Sequence, residues 1–510
     1  MLSINWDDVW KTVETITTPL IVIGVALALA VVVSIAVIRM NRPARGLTRS
    51  TAWVAAFAVV VAAVVSMMYG GLRTVLDLAS GTGALTGASK AQAEGLGNGI
   101  SDEGMVLLKN TQGALPLQKG SAVNVWGWAS TNPVYGGPLS ADSATTSLLD
   151  GLASAGFTTN DELTSLYTGY RAERPGVGTC EADWSLPEPT QDMYSDDLLS
   201  GVRAFSGTSV VTIARSGGEG FDLPRDVNKE TRENPCFSYT DNSTEYTDFQ
   251  DGQGYLELTR PERDMIALAK QHSQRTVVVI NAANAFQLGE LQDDPDIDAI
   301  VWAIPGGQAG FNALGRILDG EVNPSAKTPD TFPRILKAGP AANNFGDFQY
   351  TNMTEFAQED PFNKGASTQP SFVTYTDSIY VGYRWYETAA AEGVIDYSSE
   401  VVYPFGHGLS YTGFAQEMSE LRESADGVLS AEVTVTNTGP VAGKDVVQVY
   451  SNPPYTDGGI EKSAANLVAY EKTKTLQPGE SQTVPVTWSR DSLASYDAKD
   501  AKAYVLEAGD

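Results

Sequence analysis

Histidine and cysteine are almost missing from this chain of 510 residues, at two each, and bases are scarce beside acids, 34 Lys and Arg against 62 Asp and Glu. Two of each cannot complete a four-ligand zinc site unless carboxylates are recruited, so no catalytic metal is expected. A formal net charge of −28 argues against a nucleic-acid partner, because affinity for a phosphate backbone depends on Lys and Arg neutralising it. Solubility is the simplest account of the acid excess. No cofactor motif is legible: GGQAGFNALG at 306–315 follows an apolar run, but it lacks the Gly-x-Gly-x-x-Gly order and no Gly-Lys-Ser/Thr follows. It reads as a tight strand-to-helix turn. His272, just past a helical stretch, and His407, in a Gly-flanked turn, read as structural.

What is present begins with two long apolar runs, Leu20–Ile38 and about Trp53 to Tyr69, each near the ~20 residues that a bilayer-spanning helix needs. An acidic leader with Asp7, Asp8 and Glu14 precedes the first, and the run is too long for the apolar core of a cleavable signal peptide. Between the runs lie Arg39, Arg42, Arg45 and Arg49. The positive-inside rule makes that loop cytoplasmic and turns everything past about residue 72 outward. Residues 1–72 therefore read as a two-helix transmembrane hairpin in the lipid bilayer of the cell membrane, multi-pass, with the soluble domains extracellular. Residues 73–96, largely Gly, Ala, Ser and Thr, read as a tether.

From 97 to 340 strand and helix patterns alternate. Ala122–Trp126, Ser209–Ala214, Thr276–Asn281 and Ala299–Ala303 are apolar runs ending in GWAS, RSGGEG, NAAN and IPGGQAG. Thr259 and Glu262 make a capping box, Pro261 suits a first turn, and Met265, Ile266 and Ala269 form an apolar stripe. The pattern predicts an α/β sandwich with a mostly parallel sheet, whose functional loops follow the carboxyl ends of the strands.

Residues 341–424 lose regular patterning and read as a long connecting segment. In 425–510 the period becomes two, with Leu429, Ala431, Val433 and Val435 alternating, then Val484, Val486 and Trp488. These are antiparallel strands of a small β-sandwich. It reads as incomplete, because Tyr504–Leu506 starts a strand that no later strand joins.

One stretch is built to present an acid. VVTIARSGGEGFDLP at Val210–Pro224 is a buried-type strand followed by glycines at 217, 218 and 220 around Glu219. Glycines there permit positive φ and close approach to the main chain. On residue chemistry alone such a Glu is ordinarily a solvated loop carboxylate. Cys180 and Cys236 bracket this strand and turn in polar loops, and in an oxidising compartment a disulfide between them is expected.

Seven ordered motifs carry a family resemblance: EGMVLLKNTQGALPL at Glu103–Leu117, NPVYGG at Asn132–Gly137, IARSGGEGFD at Ile213–Asp222, PGGQAG at Pro305–Gly310, NPSAKTPDTFP at Asn323–Pro333, YVGYRWYET at Tyr380–Thr388 and YPFGHGLSYTGF at Tyr403–Phe414. From about Gly95 onward the chain resembles glycoside hydrolase family 3, its α/β sandwich followed by a fibronectin type III-like domain. The resemblance implies a retaining exo-acting β-glycosidase, mostly of the β-glucosidase type, acting on a β-glucoside or oligosaccharide. It gives Glu219 the role of general acid/base and leaves the nucleophilic Asp to a TIM barrel that this chain does not encode, in a domain order reversed from the common one.

A barrel in cis downstream or in trans would then be a partner, and the chain would be inactive alone, as a fragment or half of a split enzyme. Ala182-Asp183-Trp184 echoes the family's Ser-Asp-Trp, but the GVGTCE before it is not a buried strand. Arg215, Asp222 and Arg225 are candidate substrate contacts; an Arg often follows that Asp in the family, whereas Leu223 and Pro224 intervene here. Glu230, Glu233 and Asp226 are fallback acids in the same loop. The other reading is a non-catalytic cell-surface protein that binds carbohydrate or another partner, with aromatics at Trp126–Trp128 and Tyr380–Tyr386 to stack on sugars.

Overall fold

The structure is a computed structural model that describes residues 6–70, 73, 86–137, 145–171, 174, 177–178, 181–182, 184–217, 223–224, 226–227, 249–344, 348–359, 365 and 367–507. It divides into two compact units, Met1–Lys90 and Ala91–Asp510.

The first unit is a helical hairpin of α1, Trp6–Ala36, and α2, Arg42–Tyr69. The side chain of Asn41 caps α2 by accepting from Ala44 N at 3.2 Å, and Pro43 occupies its first turn, where a missing N–H costs nothing. Ala30, Ala56 and Ala63 are buried, as close helix packing requires small residues. Ile21, Val32, Val54 and Phe57 face outward, each more than half exposed. Both helices are long and apolar enough to cross a membrane by length and composition.

From the stretch read as a tether into the segment after it, a helix α3 runs over Gly87–Gly104. Its Gly95, Gly97 and Gly99 lower helix propensity, which is why the pattern did not suggest it.

The second unit is built on a six-stranded sheet. Its strands are β1 Val106–Asn110, β2 Ala122–Trp126, β3 Thr158–Thr159, β4 Thr208–Ala214, β5 Arg275–Asn281 and β6 Ala299–Trp302. The spatial order is β1-β6-β5-β4-β2-β3, antiparallel only between β1 and β6. Alternate residues of each central strand enter opposite cores. Val211, Ile213, Val278 and Ile280 pack with Leu163 and Tyr167 of α5 (Asp161–Tyr170), Val202 of α6 (Asp196–Phe205) and Met265 of α7 (Arg260–Gln271). Val210, Val277 and Val279 pack with Leu148 and Leu152 of α4 (Leu148–Ser154) and with Leu314 and Ile317 of α8 (Phe311–Leu318). Covering on both faces explains why these strands read as continuous apolar runs. The capping box of Thr259 and Glu262 forms as the sequence implies.

A strand at Val401–Tyr403 returns from the connecting segment to pair with Phe332–Pro333. The antiparallel part begins earlier than residue 425, because Phe414–Met418 already pairs with Val428–Asn437. The latter also pairs with Ser481–Ser489, and its buried positions alternate around a core of Ala431, Val433, Val435, Val484 and Val486. The closing strand, expected to lack a neighbour, pairs backward: Ala503–Val505 joins Ser495–Asp497. Within this second unit, Glu103 of α3 fastens the domain of the six-stranded sheet to the antiparallel domain by binding both Lys444 and Lys472.

Candidate functional site

The strand order contains one reversal beside β2. From β2 the chain moves one way to β3, and then returns to lay β4 on the other side of β2. That reversal is a topological switch point, and in such sheets the crevice outside the strands' carboxyl ends there is the usual binding place. Its two walls are the turn after β2, residues 127–137, and the loop that leaves β4 at Arg215.

The first wall is held from below. Gly127 has φ +96, and a Cβ there would stand 2.3 Å from the carbonyl oxygen of Thr212 in β4, so only glycine admits the approach. Asn281, at the end of β5, accepts from Val134 N through Oδ1 at 2.7 Å and donates through Nδ2 to Val134 O at 3.1 Å and Ala303 O at 3.0 Å. Its carbonyl accepts from Arg215 N at 3.1 Å. One asparagine thus ties the turn after β2 to the ends of β4, β5 and β6.

Glu188 is buried beneath the same turn and accepts from Trp128 N at 2.9 Å and from Tyr194 Oη at 3.3 Å. Burial pushes its carboxyl well above the ordinary carboxylate range, against the pull of the Trp128 N–H. Arg174 lies over the Trp128 ring at 5.0 Å and donates Nε to Asn132 O at 2.7 Å. Burial draws Arg174 down to about 10, which leaves it charged at neutral pH.

The second wall is rooted in Arg215. Its Nη1 and Nη2 meet the two oxygens of Glu262 on α7 at 2.6 and 2.7 Å, while Nε donates to Tyr255 O at 2.7 Å and Nη2 to Glu257 O at 2.7 Å. The guanidinium sits over the Phe286 ring at 5.0 Å. With its donors engaged and 3% exposed, Arg215 braces the loop's root instead of facing a sugar. This corrects its candidacy as a substrate contact. Ser216 N donates to Tyr255 Oη at 3.2 Å, and Tyr255 meets Trp184 edge-on at 5.0 Å. Around that pair Leu186, Val227 and Phe249 form a small satellite core with Leu223 at its edge. Val227 N donates to Gln253 O at 3.1 Å, and Asp226 accepts from Gly252 N at 3.1 Å. Asp226, one of the fallback acids, therefore ties two arms of the loop together.

Glu219 itself, with Asp222, Arg225, Glu230, Glu233, Asp183 and the cysteines Cys180 and Cys236, lies outside the described residues. Trp126 and Trp128, considered as stacking platforms, are fully buried core residues. His407 joins the connecting segment to β1, its Nε2 2.9 Å from Leu108 O and its ring stacked on Tyr403.

Sequence reading missed Glu188, Arg174 and Asn281. A glutamate between Pro187 and Pro189, and an asparagine at a strand end, were the only signals. Among the described residues no group of three or more His, Cys, Asp or Glu is placed to hold a metal ion. A cavity of about 370 Å³ also opens at the β1 edge, lined by Trp302, Ile304, Phe405, Leu467 and Tyr470. Its polar neighbours Thr328, Gln448 and Lys472 are already bonded to protein groups.

Comparison with known proteins identifies the family. The glycosyl hydrolase family 3 C-terminal domain matches residues 105–411, and a fibronectin type III-like domain matches 445–510. Beta-glucosidase A of Butyrivibrio fibrisolvens is 33% identical over 430 residues, which are 80% of this chain and 47% of that protein. Beta-glucosidase of Ruminococcus albus is 30% identical over 423 residues, 81% of this chain and 38% of that protein. Among solved structures, a beta-glucosidase from Paenibacillus barengoltzii superposes with a TM-score of 0.65 at 28% identity, covering 84% of this chain and 41% of that one. Beta-glucosidase 3B from Thermotoga neapolitana gives 0.60 at 28% identity, covering 81% and 50%. The chain thus spans half or less of the length of these relatives.

Proposed function

Because the chain belongs to glycoside hydrolase family 3, we propose that it is the membrane-anchored part of a retaining exo-β-glycosidase of the β-glucosidase type. Terminal β-linked sugars of oligosaccharides or β-glucosides are its substrates, and Glu219 is its general acid/base. The attacking carboxylate belongs to a TIM barrel supplied in cis or in trans, so residues 1–510 alone are inactive. The observation that carries this reading is the root of the Glu219 loop, which leaves β4 at the sheet's switch point and is braced by the buried pair of Arg215 and Glu262.

Retaining hydrolysis divides the work between two carboxyl groups about 5–5.5 Å apart. Glu219, protonated, gives its proton to the glycosidic oxygen as the bond to the anomeric carbon breaks, while the barrel carboxylate attacks that carbon. Glu219, now ionised, then takes a proton from the water that releases the sugar. A nearby carboxylate and partial burial raise an acid's pKa into the range this exchange needs. Asn281, Glu188 and Arg174 serve the chemistry indirectly, by fixing the opposite wall of the crevice.

The hairpin is the anchor. Its outward apolar side chains suit lipid, the arginine-bearing turn stays cytoplasmic, and the soluble unit is extracellular. Cys180 and Cys236, in that oxidising setting, pair as a disulfide.

The test compares two leaving groups with the barrel supplied. Glu219→Ala should slow hydrolysis of an alkyl glucoside by roughly 10²–10⁴-fold, yet nearly spare the first step on a dinitrophenyl glucoside, which departs without a proton. Equal slowing on both substrates would remove Glu219 from the acid role.

A further inference from the structure

We propose that the turn joining α1 to α2 binds anionic phospholipid headgroups, with Arg39 and Arg42 as the cations that meet the phosphates. The inference rests on the membrane anchor proposed above. Residues 15–76 contain Arg39, Arg42, Arg45, Arg49 and Arg73 and no acidic residue, in a chain whose net charge is −28. The turn is thus a local concentration of uncompensated positive charge on a strongly acidic protein, and solubility gives no reason for it.

The four clustered arginines divide by geometry. Arg49 donates Nε and Nη2 to Ser34 O at 3.0 and 2.7 Å, and Arg45 donates Nη1 to Ile38 O at 3.1 Å. Ser34 lies in the last turn of α1 and Ile38 in the 3-10 turn Val37–Arg39 that follows it, where backbone acceptors lack helical donors and cations are favourable. Arg45 and Arg49 therefore close the hairpin. Arg39 and Arg42 have no such task. Both are exposed, and among the described residues neither has a hydrogen-bond or ion-pair partner.

Depth decides what they meet. The first apolar run ends at Ile38 and the second begins near Trp53, whose indole N–H donates to Ser34 Oγ at 3.1 Å. Tryptophan in such a place marks the level of the headgroups. Arg39 and Arg42 emerge just beyond the hydrocarbon, among the phosphates. A guanidinium engages phosphate oxygens in a bidentate fork, and an exposed cation at an anionic surface contributes about five-fold to partition.

The experiment uses the full chain in nanodiscs of phosphatidylcholine containing a minor share of phosphatidylglycerol, with lipids retained on release counted by native mass spectrometry. Wild type should retain phosphatidylglycerol in preference to phosphatidylcholine, and the Arg39→Gln/Arg42→Gln variant should lose that preference by roughly 25-fold. Excess inorganic phosphate should leave the wild-type preference in place. Equal retention by variant and wild type overturns the proposal, as does displacement by inorganic phosphate, which would mark a general anion site. Resistance to alkaline extraction is read separately. A chain stripped from membranes by alkali loses the anchor and this proposal together, whereas an extraction-resistant chain without lipid preference loses this proposal alone.

Discussion

Replacing Glu262 should unseat the loop that carries Glu219. Arg215 and Glu262 are 1% and 7% exposed at their side chains and meet at 2.6 Å, so removing one partner leaves the other charge buried without its counterion. Breaking such a pair costs about 3–5 kcal/mol. Glu262→Gln keeps an acceptor and falls at about 3 kcal/mol. Glu262→Ala also deprives Thr259 N of the acceptor it meets at 2.8 Å in the capping box, which adds about 1 kcal/mol. For an α/β domain of this size each kcal/mol lowers the midpoint by about 2–4 °C, so Glu262→Gln should lose roughly 6–12 °C. Trp184 fluorescence is the local reporter, since its ring packs on Tyr255, whose carbonyl accepts from Arg215. Arg215→Met/Glu262→Leu should recover only part of the loss. It removes both charges, but the carbonyls of Tyr255 and Glu257 then lose a donor, at about 1 kcal/mol each. A Glu262→Gln midpoint within about 2 °C of wild type would refute the reasoning, because it would mean that water reaches the pair.

The joint between the domains should be acid-sensitive. Partial burial raises the Glu103 carboxyl, but hydrogen bonds from Lys444 and Lys472 outweigh it and hold the group below its usual 4.5. A carboxylate depressed in the folded state stabilises above its unfolded pKa, and that contribution disappears as pH falls through the folded value. Wild type and Glu103→Gln should therefore differ in thermal midpoint at pH 7 and converge near pH 3; a difference that persists in acid contradicts the assignment. Gly127→Ala should cost about 2–4 kcal/mol, because its Cβ would collide with the Thr212 carbonyl in a backbone conformation that L residues resist; a neutral effect on chemical denaturation would show that the turn after β2 is loosely held. Alkylation of secreted-side protein without reductant should add nothing to Cys180 and Cys236, and two added groups in the intact mass would exclude their disulfide.

The sheet was legible because its central strands are covered on both faces, which forces unbroken β-branched runs such as Val277–Ile280 and Val210–Ile213. The second domain was legible for the opposite reason: one covered face makes Leu429, Ala431, Val433 and Val435 alternate. Elements without a periodic signature escaped. Helix α3 is rich in glycine and buries little, and Phe414–Met418 is an edge strand with mostly exposed side chains. At the crevice, the sequence shows the strand ends that form the walls, but not what joins them. Asn281 contacts Val134 across 147 positions and Glu188 contacts Trp128 across 60, and polar contacts of that span leave no local pattern. Arg215 meets Glu262 across 47 positions, a contact of the same kind.

The central claim is that Glu219 is the acid/base of a retaining glycosidase, and the product formed by Glu219→Ala in azide tests it most directly. With the barrel supplied and dinitrophenyl glucoside as substrate, the first step needs no acid, so the glycosyl-enzyme forms and then waits for a base to activate water. Azide needs no base. It should restore turnover and yield the β-glycosyl azide, the outcome of two inversions at the anomeric carbon, identified by proton NMR. Wild type should give glucose and no azide adduct. If azide neither accelerates the variant nor appears in its product, Glu219 is a turn residue and the account of this site is wrong.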